Sequence, residues 1–311
     1  MTSIAQWRAG GAYLEHKGHR IFWREGGDPA APALLLIHGF PTASWDWERL
    51  WPELTKRYRV LTLDMIGFGF SQKPYFYDYH MIDQADIFDH LLALARVPRY
   101  HILAHDIGVS AAAELVARAA ENAGRPQIQS ACLLNGTLFP ETHRRVLYQS
   151  LLLTRFGPLV SLLTTKSGFA RNMRTIFGQY FPPDQETLDA MWALIENDHG
   201  DRIMHKLISY IPDRHVNRER WVGAVQQTAI PMKLIDGLVD PVSGGHMVVR
   251  YRELIPNPNV TELPQGGHYP HVQMPEQVLA AYLAFREEVA RTQANPAHAR
   301  PVTPIRAQEA T

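Results

Sequence analysis

The stretch LAHDIGVSAAAEL (103–115) reads as an apolar strand that turns sharply into a helix of small residues, with Asp106 at the turn. In the commonest chains with this pattern a serine occupies that point and acts as nucleophile. Here no GxSxG occurs anywhere. A carboxylate at a helix N-terminus is stabilised as the anion by the dipole and by unpaired N–H groups, so it can attack an electrophilic sp³ carbon and form an ester. Hydrolysing such an ester needs a base and an acid to orient it. Gly267-His268 and the stretch from Asp236 through Asp240 offer both types.

These residues follow apolar runs that read as strands. Two short strands flank Lys17-Gly18 within 11–27, and ALLLIHGFP (33–41) and RVLTLDMIGFG (59–69) each end in an abrupt turn. A polar helical segment from Tyr79 to Arg96 precedes the strand YHILAHD, the helix from Ile107 and the strand IQSACLLNG. Alternation of strand and helix implies a mostly parallel sheet with right-handed crossovers. Strand ends in such a sheet gather at one edge, so His38 to Pro41, Asp64, Asp106, Asn135, Asp236 to Asp240 and His268 converge.

The rhythm breaks between Phe139 and Gln227, where LYQSLLLTRF, FARNMRTIF, QETLDAMWALIE and DRIMHKLISYI read as helices. Strands resume at IPMKLIDG (230–237) and NVTELPQGG (259–267). The expected organisation is an α/β core over 1–138 and 228–291, a helical lid over 139–227 and a disordered tail over 292–311.

The chain has 311 residues, 46% hydrophobic, with 31 Lys and Arg against 31 Asp and Glu. That balance leaves no net basic field for nucleic acid or an anionic membrane. No N-terminal apolar h-region or spanning stretch is present, which points to a soluble cytoplasmic protein. The lone Cys132 reads as a core residue. His101 and His105 have HxxxH spacing, but on a strand that is no zinc site, and no metal or cofactor is expected.

HGFP (38–41), DMIGFGFS (64–71), AHDIG (104–108), DGLVDP (236–241) and GGHYPHVQMPE (266–276), in this order and spacing, resemble the α/β-hydrolase superfamily over roughly residues 11 to 290. NGTLFPETHR (135–144), RWVGA (220–224) and DPV (240–242) look like the mesoderm-specific-transcript group of its epoxide hydrolase-like branch. The resemblance implies an α/β-hydrolase fold, Asp106 as nucleophile, His268 as base and Asp240 rather than Asp236 as the orienting acid. It also implies an oxyanion hole from the backbone N–H groups of Phe40 and Ile107. His271 is then a loop neighbour, His38 and Asp64 are structural, and Trp45, Trp47 and Trp51 are packing. Glu141 is a weaker alternative acid.

For the reaction, the resemblance implies epoxide opening or carbon–halogen cleavage. Dehalogenases of this branch place Trp and Asn where this chain has Ile107 and Phe40, and the fluoroacetate type has arginines where this chain has IGVSAAAE. Epoxide opening uses lid tyrosines as proton donors. Tyr210 takes that role by its separation from Asp240, and Tyr148 or Tyr180 would be the second donor. Phe139, Phe181 and Trp192 would line an apolar pocket for a small apolar or aryl substrate, in a monomer or homodimer. A dehalogenase or a non-catalytic binding protein on this fold are the alternatives.

Overall fold

The computed structural model describes residues 2–122 and 124–294. Its strands are β1 (Gly11–His16), β2 (His19–Gly26), β3 (Ala33–Ile37), β4 (Arg59–Leu63), β5 (Arg99–His105), β6 (Gln127–Leu134), β7 (Met232–Gly237) and β8 (Val260–Leu263). They form one sheet in the order β1-β2-β4-β3-β5-β6-β7-β8. β1 and β2 form a hairpin through Lys17 and Gly18, both at positive φ, and β2 meets β4 antiparallel. From β4 to β8 every pairing is parallel.

Every residue of β3 is buried, as is β5 from Tyr100 onward. Strands covered on both faces read as continuous apolar runs, which is why these segments stand out in the sequence. The Met81–Leu94 helix buries Gln84, Ala85, Phe88, Leu91 and Leu92, a stripe spaced for one helix face. The chain leaves β3 toward β4 on one side and returns to β5 on the other. That reversal opens a crevice at the carboxyl ends of β3 and β5, from which Phe40 and Asp106 follow.

Between β6 and β7 lie short helices from Leu147–Leu152 to Arg218–Gln227. Two boundaries of the expected lid shift. The Arg218–Gln227 helix packs on the Gly108–Glu121 helix of the sandwich, with Trp221 Nε1 donating to Glu114 at 2.8 Å, so it belongs to the core layer. At the other end, Phe139 is wholly buried and its ring lies 6.4 Å from that of Tyr251 in the Gly245–Leu254 helix.

The expected helix DRIMHKLISYI is broken into a 3-10 run, Met204–Leu207 and Tyr210–Val216. Pro212 explains the restart, because proline is accommodated in the first turn of a helix and not in its interior. The last helix, Pro275–Ala294, runs past the expected start of the tail at 292, and the rest of that tail lies outside the described residues. Cys132 is buried, and burial pushes its thiol up to about 12.

Candidate active site

Asp106 sits one residue beyond β5 at φ 49°, a left-handed conformation that a non-glycine residue adopts only under local constraint. The constraint is the closeness of the next turn. A Cβ on Gly108 would lie 2.7 Å from the carbonyl oxygens of both Ile37 and His38, so only glycine lets the helix start against β3. The strained turn holds the Asp106 carboxylate beside the loop after β3, where the Phe40 N–H donates to Oδ2 at 2.9 Å. Ile107 is the N-cap of the helix, where backbone N–H groups are not consumed by helical bonds.

His268 Nε2 stands 3.8 Å from the other carboxylate oxygen, Oδ1, beyond direct hydrogen bonding. Its Nδ1 bonds Asp240 Oδ2 at 2.7 Å. Asp240 is itself gripped by the Val242 N–H at 2.7 Å, the Ser243 hydroxyl at 2.8 Å and Asn135 Nδ2 at 3.0 Å. Burial opposes charging His268, but Asp240 and Asp106 outweigh it and hold the imidazole above its ordinary value. Burial likewise opposes ionising Asp240, yet His268 and the N–H and hydroxyl donors keep it below the usual carboxylate range. Asp236 is the converse. It is fully buried with both oxygens unpartnered, and burial followed by the charge of Asp240 raises it well above that range.

The sequence profile described as "alpha/beta hydrolase fold" matches residues 32–275. The mouse mesoderm-specific transcript protein is 38% identical over 293 residues, covering 91% of this chain and 88% of its own. This chain belongs to the α/β-hydrolase family. LipZ of Mycobacterium tuberculosis is 35% identical over 284 residues, covering 91% of this chain and 98% of its own. The crystal structure of a membrane phospholipase A superposes with a TM-score of 0.71 at 27% identity, over 92% of this chain and 91% of that one.

As in an α/β-hydrolase, a cavity opens at the strand ends under the inserted helices. It holds about 340 Å³ and is walled by Phe40, Asp106 and His268 from the core and by Tyr148, Phe169 and Trp192 from the insertion. Trp192 lines it. Phe139 does not, being packed in the core, and Phe181 and Tyr180 lie together in a separate surface groove with Pro182 and Asp184. Tyr180 is exposed at that groove, which removes it as a second donor over Asp106. The polar loop GQYFPPD turns outward, where its backbone meets water.

Tyr148 lines the cavity, but its hydroxyl shares a 2.8 Å bond with Thr164. Tyr210 is buried, its ring 5.6 Å from that of Phe40. Its hydroxyl accepts from Gln149 Nε2 at 3.0 Å, and Gln149 is part of the cavity wall. Burial, with the charge of Asp106 adding to it, drives the Tyr210 phenol far up, so it is held as a proton donor.

Arg214 was not legible as a site residue. Fully buried, it donates from Nη2 to the Asp106 carbonyl at 3.1 Å and from Nε to Ser110 at 2.8 Å, and lies 3.8 Å from Asp106 Oδ1. Its signal was one arginine in a lid helix, indistinguishable in sequence from an exposed one. Asn135, at φ 30°, ties β6 to β7 by accepting from the Gly237 N–H at 2.7 Å while donating to Asp240. Tyr269 donates to the Phe40 carbonyl at 3.1 Å and so fixes the loop after β3.

Glu141 pairs with Arg218 and Arg250 at the surface, away from the site. His38 and Asp64 are loop braces. His38 Nε2 accepts from the Met65 N–H at 3.0 Å, and Asp64 accepts from the Ser44 N–H at 2.8 Å. His101 pairs with Ser130 and Arg286. Among the described residues, one group could hold a cation: Asp46, His105 and His271, whose polar atoms lie within 4.8 Å of one another. Its chemistry does not favour one. His105 Nε2 is committed to the His268 carbonyl at 2.7 Å. Burial lifts the Asp46 carboxyl well up, so the one member of the group that could bring negative charge is held protonated beside imidazoles that burial keeps neutral, His105 well down and His271 at about 3.

Proposed function

We propose that this α/β-hydrolase opens small apolar epoxides to vicinal diols through an ester on Asp106. The observation that carries the reading is the carboxylate between the Phe40 N–H and an Asp240-backed imidazole, at the floor of an apolar cavity. Asp106 Oδ1 attacks a ring carbon, the carbon–oxygen bond of the ring breaks, and the alkoxide takes the proton of Tyr210 as it forms. Neutral His268 then removes a proton from water, whose oxygen attacks Cγ of Asp106. The oxyanion is held by the Phe40 and Ile107 N–H groups; its collapse breaks the ester bond, the imidazolium of His268 protonates the alkoxide that leaves, and the proton left on the Asp106 carboxyl returns to Tyr210 as the diol departs.

Carbon–halogen cleavage would use the same first step. It is disfavoured because a leaving halide needs donors at the residue after the nucleophile and in the loop after β3, and this chain offers the apolar side chains of Ile107 and Phe40 there.

The test is intact-protein mass spectrometry of a His268→Gln variant incubated separately with styrene oxide and a bromoalkane. Without the base the ester accumulates. A mass gain equal to the whole epoxide, absent in the Asp106→Ala, His268→Gln double variant, is the expected result. A gain of an alkyl group from the bromoalkane alone would assign dehalogenation, and no adduct from either with a folded protein would remove the ester mechanism.

A further inference from the structure

The insertion carries a large apolar surface that nothing among the described residues covers. Leu147, Leu151, Phe156, Leu159, Leu162 and Leu163 project from the Leu147–Leu152 and Gly157–Leu162 helices and the turn between them, each between 43% and 76% exposed. Side chains of this size are ordinarily withdrawn from water, and a cluster of them marks an interaction surface. The two helices pack together, so the residues form one patch. Leu163 is both exposed and part of the cavity wall, and Val160 and Thr164 beside it line the cavity too. The patch therefore borders the cavity at Leu163.

Its charge is as uneven as its hydropathy. The chain as a whole is neutral, yet residues 142–183 contain Arg144, Arg145, Arg155, Lys166, Arg171 and Arg174 and no Asp or Glu. Among the described residues, Lys166 pairs with Asp189 at 2.9 Å, Arg174 hydrogen-bonds Gln185 at 3.3 Å and the Arg155 guanidinium lies over the Phe156 ring. Asp198 and Asp201 belong to the 3-10 run packed against the Gly157–Leu162 helix, outside the basic segment.

We propose that this face of the lid docks on an anionic phospholipid surface, with the leucines and Phe156 entering the headgroup boundary and the arginines meeting lipid phosphates. Short amphipathic helices with apolar anchors and a basic surround have the composition of interfacial binders. A second copy of the chain is a poorer occupant. A two-fold contact would set each cationic segment against its own image, with no carboxylate within the segment to offset it. Docked in this way, the cavity is bordered by the lipid phase at Leu163, so an apolar substrate enters without crossing water. The inference concerns where the chain sits and stands apart from the reaction at Asp106.

The test is co-flotation of the full chain with vesicles of pure phosphatidylcholine or of phosphatidylcholine with about one third phosphatidylglycerol. The expected result is flotation with the anionic vesicles. It should fall at least roughly tenfold in Leu159→Glu, Leu162→Glu and in Arg144→Gln, Arg145→Gln, Arg155→Gln, because each set removes one of the two attractions. None of these residues lines the cavity, and circular dichroism checks that both variants fold. Wild-type protein that stays with neither vesicle would overturn the proposal, as would flotation unchanged in the leucine variant. A concentration-dependent dimer dispersed by the leucine substitutions, without flotation, would assign the patch to self-association instead.

Discussion

The imidazole of His268 must be neutral to take a proton from water, yet two carboxylates hold it above its ordinary value against the opposing effect of burial. Esterifying Asp106 removes one of those two carboxylates, so the imidazole titrates above the ordinary histidine pKa of about 6.5 in the free enzyme and falls when the ester forms. Histidine NMR titrations of the wild type and of Asp106→Asn measure this, the amide standing in for the uncharged ester. An imidazole that titrates well below that value in the wild type, or that Asp106→Asn leaves unmoved, would mean that the carboxylates do not hold it. In the proposed reaction Tyr210 acts as a donor in the first half only. Tyr210→Phe keeps the ring beside Phe40, 5.6 Å between centroids, and removes the proton. Ester formation from an epoxide should then slow by roughly 10²-fold, with ester hydrolysis unchanged. Equal slowing of both steps would point to a packing role for the ring.

Elements rather than single residues set where these groups meet. The turn between β5 and its helix is packed so closely that Gly108→Ala must push a methyl into two backbone carbonyl groups. We expect a loss of about 2–3 kcal/mol, read from thermal or urea unfolding, together with reduced turnover. Unchanged stability would mean that the turn has slack the packing does not show. The elements that carry this turn were legible because strands buried on both faces write themselves as apolar runs, as in ALLLI and RVLTL. The insertion was less so. Its helices are short and amphipathic, so periodicity marked their existence but missed the break before Tyr210 and assigned the Arg218–Gln227 helix to the lid. What decides membership is the partner face, here Glu114 on the sandwich helix, and a periodic stripe does not name its partner.

Across the whole molecule, burial governs the response to acid. His101, His143 and His271 are each driven down to about 3, chiefly by burial, and are carried as neutral rings. A group whose folded pKa lies below its unfolded value of about 6.5 contributes stability that is present above that value and fades as pH falls toward the folded one. His271 has no hydrogen-bond partner at either nitrogen and stacks on Trp47 at 4.5 Å. His271→Phe therefore keeps the contact, removes the acid liability and should narrow the loss of stability on acidification by about 2 kcal/mol near pH 4.5. Melting curves at about neutral pH and at that pH measure it, and an equal loss in both proteins would mean that His271 is paired in solution.

Residue order and spacing carry the frame and bring the candidate set to one edge of the sheet. Asp106 stands where the elbow requires a nucleophile, and Asp240 and His268 follow in the superfamily's order on loops that a parallel sheet must bring to one edge. Backbone geometry alone enforces that convergence. What surrounds the set depends on packing. The fold buries Arg214 against Asp106, sends Tyr180 and Phe181 to an outer groove, and leaves the leucines of the inserted helices facing outward. Each of these depends on which faces meet. Residue type and spacing state how polar a face is, but which face it meets is fixed only when all the elements pack at once.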